Sequence, residues 1–471
     1  MGAARRLYIL IVSALSLHGV TWAVIALLRN LVLDWKAPPT ALAFWIAAVV
    51  VGLPVFLVHW LWAQRLARRD EDEREAVLRR LYLYGALAGF LVPFLNNGLR
   101  LLRSLLLLTT GERDPRYAYY YYQPPEPGGY QPPEPGGMVA ECLVAMVILA
   151  LLWWYHQRVV SADARIAPER GGSATVRRLY ILAFSGTGLV MATMSFVALL
   201  RWVMSYVGRG SAIGWLAPVF YEVPRLLVGA PLWVVFWLWA QRLFSRPDPE
   251  ERGSVLRKLY LYLVVFGAVV TAVGGATAIL HALLRHLLIP GAGAATGAGD
   301  GGDIRVPLSL IAGTLVLWAY HAIVLRQDAA LAGEAPRQAS VRRIYFYLVA
   351  AAGLAATLAG LAGAVTVLIR SLTERFGTGL REPLAWFVSI LIAGLPVWIV
   401  PWRRMQILAT ASAPEGAEER RSTPRKVYLY FYLLVATITV VSSLVYIVYR
   451  LLSLALGAGV SGNLLGDLTQ Y

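Results

Sequence analysis

Arg5-Arg6-Leu7-Tyr8 opens an apolar run of helix length, and the same start recurs along the whole chain. Each copy places two basic residues, an aliphatic residue and a tyrosine before a run long enough to cross a bilayer. A unit that recurs at a regular interval is the signature of a repeat protein. We therefore predict an all-α, polytopic transmembrane protein built from parallel two-helix repeats. The other five starts are Arg79-Arg80-Leu81-Tyr82, Arg177-Arg178-Leu179-Tyr180, Arg257-Lys258-Leu259-Tyr260, Arg342-Arg343-Ile344-Tyr345 and Arg425-Lys426-Val427-Tyr428.

The composition also indicates a membrane protein. Of 471 residues, 58% are hydrophobic and only 15% are charged, whereas a soluble protein carries roughly 25% charged residues. The net charge is +16, and the basic residues cluster near helix ends, where anionic lipid headgroups attract them. We expect this charge to face a bilayer with anionic headgroups and no nucleic acid, because no nucleic-acid-binding motif accompanies it.

Eleven apolar segments are predicted to span the membrane. Residues 7–32 mimic a signal peptide, but the same pattern recurs inside the chain, so they are interpreted as a retained first helix. Residues 455–471 are too short and too polar to span, so the sixth unit is expected to hold its first helix only. The predicted spans are 7–32, 40–63, 82–107, 138–160, 179–204, 219–243, 260–288, 307–325, 345–370, 384–402 and 428–454.

Arginine distribution predicts the orientation. The N-terminus and the linkers between two-helix units hold 28 of the 43 basic residues, and the loops within units hold the other 15. Because basic loops stay on the cytoplasmic side, the linkers and the N-terminus are expected inside. An odd number of spans then places the C-terminus outside.

A longer period overlies the two-helix unit. Odd units share the pattern G-x-P-x-[FW]-x-V-x-W-x3-Q in their second helix, and even units share W-x-Y-H followed by an aspartate. The repeat is therefore four helices and roughly 170 residues long. The predicted repeats are 1–165, 166–337 and 338–471, the last truncated to three helices. The odd-unit pattern runs from Gly52 to Gln64, Gly229 to Gln241 and Gly394 to Gln406; the even-unit residues are Trp153, Tyr155, His156 and Asp163, then Trp318, Tyr320, His321 and Asp328.

These motifs resemble a known family. The Arg-Arg-Leu-Tyr starts, the Gly-Leu-Pro segment that leads through Trp to Ala-Gln-Arg between Gly52 and Arg65, and the Trp-x-Tyr-His ends are similar to a bacterial multi-pass membrane family known as domain of unknown function 5671. The resemblance covers nearly the whole chain in tandem copies. It implies a bacterial membrane protein and no assigned activity.

The repeated Gly-x-Pro pairs lie in the middle of predicted helices. Proline removes a backbone hydrogen bond and kinks a helix, and a nearby glycine lets another backbone approach. The two interpretations are three hinges around a central path and three kinks that let helices pack, and we favour packing. The residues are Gly52, Pro54, Gly229, Pro231, Gly394 and Pro396.

One loop has a composition unlike the rest of the chain. Residues 111–137 include a tyrosine cluster and a duplicated QPPEPGG heptad, which predicts a stiff, non-helical external segment. The loop is either a disordered surface segment or a docking surface for a partner. It is the strongest partner-binding candidate in the sequence. Its residues of interest are Tyr119, Tyr120, Tyr121, Tyr122, Pro124, Pro125 and Tyr130.

Five polar residues in predicted spans form a possible membrane site: His18, Asn96, Asn97, Glu222 and Arg225. Ionisable groups in a membrane are functional candidates, but interhelical hydrogen bonds and a Glu222–Arg225 salt bridge at three-residue spacing are the simpler interpretation.

His156 and His321 recur at equivalent positions beside Trp and Tyr. That neighbourhood favours an interfacial aromatic belt over haem ligation.

No catalytic motif is recognisable, and the single cysteine, Cys142, lies in an apolar run. We expect no enzymatic activity, no cofactor and no metal. The first hypothesis is a structural or accessory subunit, or a scaffold, in the bacterial cytoplasmic membrane, associated with another membrane protein or with itself. The alternative is a transporter or channel for a lipid-like or anionic solute.

Overall fold

A computed structural model describes residues 2–33, 37–114, 134–206, 217–289, 304–331, 336–372 and 374–456. Within these ranges the chain forms fourteen helices and no strand. They are α1 (Gly2–Val32), α2 (Pro39–Arg69), α3 (Glu71–Glu75), α4 (Val77–Thr110), α5 (Pro135–Ile166), α6 (Gly171–Tyr206), α7 (Ala217–Phe244), α8 (Pro249–Arg252), α9 (Val255–Leu288), α10 (Arg305–Leu331), α11 (Pro336–Arg370), α12 (Thr378–Thr410), α13 (Pro414–Arg421) and α14 (Thr423–Ala455).

Eleven helices of the described ranges are long and apolar enough to cross a membrane. The prediction of an all-helical multi-pass protein is therefore confirmed. The helices extend beyond the predicted spans; α2 continues to Arg69 and α12 to Thr410. Arginine, glutamate, leucine and alanine are strong helix formers, so the charged linkers continue the helical conformation past the apolar runs.

The linkers of the odd units fold into short helices, α3, α8 and α13. In the first of these, Asp70 acts as the N-cap, and its Oδ1 accepts a hydrogen bond of 2.9 Å from the Asp72 amide. Such a cap satisfies an amide that has no partner inside the helix. These short helices matter because each one carries a buried glutamate.

The prediction that residues 111–137 are non-helical is wrong at the C-terminal end of this segment. Pro135, Gly136 and Gly137 form the first turn of α5, with the proline at the start. Proline is favoured there because the missing N–H would have no helical partner and its fixed φ already suits a helix. The tyrosines and prolines singled out in this loop, from Tyr119 to Tyr130, lie outside the described residues.

Two compact units divide the chain, residues 1–202 with 208–252 and residues 203–207 with 253–471. In the first unit α1 packs on α2 and α4, and α5 packs on both α4 and α1. In the second unit α9 packs on α10, α11 packs closely on α12, and α14 lies on α11. The four-helix repeat boundaries at 165 and 337 stay predictions. Residues 457–471, expected not to span, lie outside the described residues.

The motif glycines of the odd units lie where two helices nearly touch. A Cβ added to Gly52 would lie 2.8 Å from Val20 Cγ2, and one added to Gly394 would lie 2.8 Å from Ala356 Cβ. At Gly229 the neighbour is Met191 Cβ, at 2.7 Å. In all three units the glycine therefore admits the first helix of the same unit, which favours packing over a hinge. Pro54, Pro231 and Pro396 lie inside the same helices.

Candidate functional site

A buried glutamate in each odd-unit linker binds the basic pair at the start of that unit. We call the helix ends joined by these linkers the linker side of a unit. Glu73 accepts hydrogen bonds from Arg5 Nη2 at 2.5 Å and from Arg6 Nε at 2.7 Å, and Glu73 is 7% exposed. The short helix α3 is thus held against the start of α1. Charge-assisted hydrogen bonds of this kind are about twice as strong as neutral ones.

The same arrangement recurs in the other two odd units. Glu251 binds Arg177, and its Oε2 accepts a 3.0 Å hydrogen bond from Arg178 Nε. Glu419 accepts a 2.9 Å bond from Arg343 Nε and a 2.6 Å bond from the Tyr347 hydroxyl, and it is fully buried. The sequence carries a signal for this contact, since each of these glutamates is followed directly by arginine. The composition of those linkers by itself predicts charged connections only.

The pairing of Glu73 predicts a dependence of stability on pH. Burial by itself would raise the pKa of the Glu73 carboxyl, but hydrogen bonds from Arg6 and Arg5 outweigh it and hold the pKa below its ordinary value. The pair therefore adds stability above the unfolded pKa of about 4.3, and this contribution disappears as the pH falls through the lower folded pKa. Because Arg5 is half exposed, we expect about 1 kcal/mol.

Comparing the wild type with Glu73→Gln by thermal unfolding in detergent tests this. The difference in stability between them is expected to be largest near neutral pH and to shrink as the pH falls below the unfolded pKa of about 4.3. A difference that stays constant over this range would contradict the prediction.

In the even units the carboxylate comes from the second helix. Arg79 Nε donates to Asp163 Oδ2 at 2.8 Å, and its Nη2 donates to Gln64 Oε1 at 2.9 Å. Arg257 makes the same contact with Asp328 at 2.8 Å, and Lys258 Nζ lies 3.6 Å from that carboxylate. The repeated aspartates seven residues after His156 and His321 are therefore counter-ions of the basic starts.

Aromatic rings pack against the Arg79–Asp163 ion pair of the first four-helix repeat. Trp60 Nε1 donates a 2.7 Å hydrogen bond to the Tyr155 hydroxyl, and its ring lies 5.7 Å from that of His156 and 5.3 Å from that of Tyr82. His156 is fully buried, and its Nδ1 lies 2.8 Å from Leu152 O. His321 is also fully buried. The interpretation of these histidines as an interfacial belt is therefore wrong, because both lie inside the helix packing.

The third four-helix repeat, through α12 and α14, reproduces half of this site. Arg425 Nη2 donates to Gln406 Oε1 at 2.7 Å, and its guanidinium lies over the Trp402 ring at 5.7 Å. The Trp402 and Tyr428 rings lie 5.3 Å apart. In the part of the chain that the structure describes, no carboxylate pairs with Arg425 or with Lys426, and Lys426 is exposed. The helix that supplies Asp163 in the first four-helix repeat, α5, has no counterpart in the third repeat within the described residues.

A separate groove lies between α11 and α14. It has a cavity volume of about 940 Å³. Its walls are mainly apolar and aromatic, and its linker-side end carries charged groups. The lining includes Arg343, Tyr347, Leu348, Arg421, Val427 and Phe431.

The polar residues predicted as a membrane site on α1 and α4 do not form one cluster. Two of them, His18 and Asn97, make separate contacts where helices pack. His18 stacks on Phe90, with ring centroids 5.1 Å apart, and its Nδ1 lies 3.0 Å from Ala14 O. A Cβ on Gly89 would lie 2.5 Å from the His18 ring, so this glycine makes room for the imidazole. Asn97 is 6% exposed; its Nδ2 donates to Pro93 O at 2.8 Å. Asn96, in contrast, is exposed.

Glu222 and Arg225 form the salt bridge suggested by their spacing. Arg225 Nη1 lies 2.8 Å from Glu222 Oε2 on the same helix, α7. The five polar residues are thus spread over three helices, and a role in ligand binding stays a prediction.

A comparison with protein families gives a match to domain of unknown function 5671 (DUF5671) over residues 6–118, 178–296 and 343–470. The chain belongs to this family. Each of the three matched segments of DUF5671 begins at the basic pair of an odd unit. Comparisons with curated proteins and with solved structures found no match.

Proposed function

We propose that this DUF5671 protein is a structural or accessory subunit that assembles with another protein in the cytoplasmic membrane of a bacterium. In this proposal the linker side, with its arginines, faces the cytoplasm, because basic segments resist translocation. The N-terminus is then cytoplasmic and the chain leaves the membrane outside after the eleventh span. The chain acts through helix contacts and performs no catalysis.

One observation carries the proposal. The last spanning helix, α14, has no buried residue between Tyr428 and Arg450, although it is apolar on all sides. The equivalent helix of the first four-helix repeat, α4, buries residues along most of its length and is covered by α5. A helix that is apolar all round is normally packed in a bundle or faces lipid. At the linker side of α14, exposed Lys426 and half-buried Arg425 adjoin the apolar surface. The uncovered length of α14 beside these cations supports the proposal of a partner.

The placement of the buried charges also supports a structural role. Glu73, Glu251 and Glu419 each hold a helix start against a linker. A buried ion pair adds little net stability over an apolar pair of the same size, and in some proteins it specifies which helices meet; we propose that role for these three glutamates. Their repetition fits a chain whose task is to keep its helices in fixed positions.

Native mass spectrometry of protein extracted gently from its own membrane tests the proposal. We expect a stoichiometric assembly with a second polypeptide. A lone monomer without a protein partner would overturn the proposal. If that monomer retained a lipid or an anionic solute, the alternative of a transporter would be favoured. The groove, whose charged end carries Arg343, Arg421 and Glu418, would be the place to find that molecule.

A further inference from the structure

We propose that one face of α14 binds a helix of a partner protein, and that the linker-side end of this helix carries two carboxylates. The face is formed by Lys426, Leu429, Tyr430 and Leu433, and we call it the open face of α14. It is distinct from the groove between α11 and α14, whose described lining contains none of these four residues. The inference rests on the proposed function, because it names the surface and the chemistry by which α14 would meet its partner.

The same helix face is buried in the other two repeats. Positions are matched by counting from the basic starts. The four equivalents on α4 are each 3% exposed or less: Arg80, Leu83, Tyr84 and Leu87. Three of the equivalents on α9 are 6% exposed or less: Lys258, Leu261 and Val265. On α14, in contrast, Lys426 is exposed, and the other three residues are 42%, 68% and 61% exposed: Leu429, Tyr430 and Leu433.

The helix α5 and the linker that follows it cover this face on α4. α5 packs on α4, and Arg80 Nη2 donates a 3.1 Å hydrogen bond to Ala167 O. Glu169 lies in the same linker. Its Oε1 lies 3.3 Å from Arg80 Nη1 and accepts a 3.1 Å hydrogen bond from the Tyr84 hydroxyl. One carboxylate therefore neutralises the cation of the face and binds its tyrosine. Lys426 and Tyr430 are the matching pair on α14.

A second carboxylate serves the neighbouring arginine. Asp163, six residues before Glu169, lies 2.8 Å from Arg79. Arg79 also donates to Gln64 at 2.9 Å, and its equivalent on α14, Arg425, makes the same contact with Gln406 at 2.7 Å. The receiving side is thus already in place in the third repeat.

Charge complementarity selects the occupant. Within the described residues, no carboxylate pairs with Arg425 or with Lys426. Two acids spaced like Asp163 and Glu169 would neutralise both cations and bind the Tyr430 hydroxyl. Charge-assisted hydrogen bonds are the strongest kind, and a site shielded from water strengthens them further.

The apolar part of the open face favours a helix over a lipid. Leu429 and Leu433 lie one turn apart, and their equivalents on α4, Leu83 and Leu87, are fully buried by protein. Van der Waals packing and interhelical hydrogen bonds drive helix association in a bilayer. A helix that packs on the two leucines and brings acids to the linker side is held by both forces.

The experiment uses the full chain in nanodiscs of zwitterionic lipid and a synthetic helix as the probe. The probe is a fluorescent peptide with the sequence of residues 135–170, which contains Asp163 and Glu169. We expect saturable binding. Loss of one charge-assisted contact, by Glu169→Gln in the peptide or Lys426→Glu in the protein, is expected to lower the affinity about tenfold or more. Lys426 is exposed, so its replacement is expected to leave the fold intact, and thermal unfolding of the variant checks this.

Charge exchange and crosslinking add two controls. Lys426→Glu is expected to regain affinity for a peptide with Glu169→Lys. A photo-crosslinking amino acid at Tyr430 is expected to capture the peptide, whereas one at Val427 is expected to capture lipid. Val427 is 61% exposed, and its equivalent on α4, Leu81, is 55% exposed, so this neighbouring face is uncovered in the first repeat as well.

Three results would overturn the inference: no saturable binding, an affinity that neither Glu169→Gln nor Lys426→Glu changes, or capture of lipid alone at position 430. The last result would show that lipid covers the open face. Native mass spectrometry separates this failure from failure of the proposed function. A partner protein that the wild type and Lys426→Glu retain equally well through dilution would exclude the open face and leave the accessory role standing, whereas a lone monomer would overturn both.

Discussion

Glu251→Gln is expected to destabilise the first compact unit by about 3 kcal/mol. Glu251 is 3% exposed and binds both Arg177 and Arg178. Removing one member of a buried ion pair leaves the other charge uncompensated, which costs roughly 3–5 kcal/mol. Glutamine keeps one acceptor oxygen, so the lower end of this range applies. Thermal unfolding and SDS titration in detergent measure the difference.

The chain supplies a matched control one residue away. Glu250 also contacts Arg178, at 3.2 Å, but its side chain is 40% exposed. An exposed ion pair is worth about 1 kcal/mol or less, so Glu250→Gln is expected to change little. The second unit offers the same comparison between Glu419, fully buried, and Glu418, 71% exposed on its side chain, both on Arg343. Equal effects at the two neighbours of a pair would contradict a role for burial.

Gly360→Ala is expected to destabilise the second unit by about 2 kcal/mol. A Cβ at Gly360 would lie 2.6 Å from Leu391 N and 2.7 Å from Phe387 O. These are backbone atoms of α12 and cannot turn aside, so the two helices must separate. Overpacking of this kind costs roughly 1–3 kcal/mol. The expected result is a lower midpoint of thermal unfolding in detergent.

Gly267→Ala is the control, and its effect has the opposite sign. Nothing lies within 4 Å of a Cβ at Gly267, on α9. Alanine is the better helix former by about 1 kcal/mol, so this variant is expected to be neutral or slightly more stable. If Gly360→Ala behaved like Gly267→Ala, close packing of α11 on α12 would not contribute to stability.

Much of the fold follows from local pattern. The six basic starts give the period, and apolar run length gives the eleven spans, because both depend on residues near in sequence. The helices extend beyond the apolar runs that predict them. Charged linkers such as Glu71–Glu75 form helix although they cannot enter the bilayer, and hydropathy cannot distinguish a polar helix from a polar loop.

The contacts of the site depend on residues far apart in sequence. The position of the arginine pairs at helix ends predicts contact with lipid headgroups, yet Arg79 and Arg80 are 3% and 1% exposed. Their partner Asp163 lies 84 residues from Arg79. The sequence showed that this aspartate repeats but gave no reason to join it to an arginine. The Trp and Tyr beside His156 predict an aromatic belt, whereas His156 is fully buried. Neighbours in sequence do not reveal a covering helix.

The sequence by itself determined that this chain is a helical membrane protein of tandem repeats, because span length and period are properties of contiguous residues. Only the tertiary structure decided where the charges go. Each carboxylate that holds a basic start comes from another helix or linker, and burial depends on which helices meet. The same physical reason leaves the surface at Arg425 and Lys426 open, because the contacts that α5 makes in the first unit have no counterpart on α14 among the described residues.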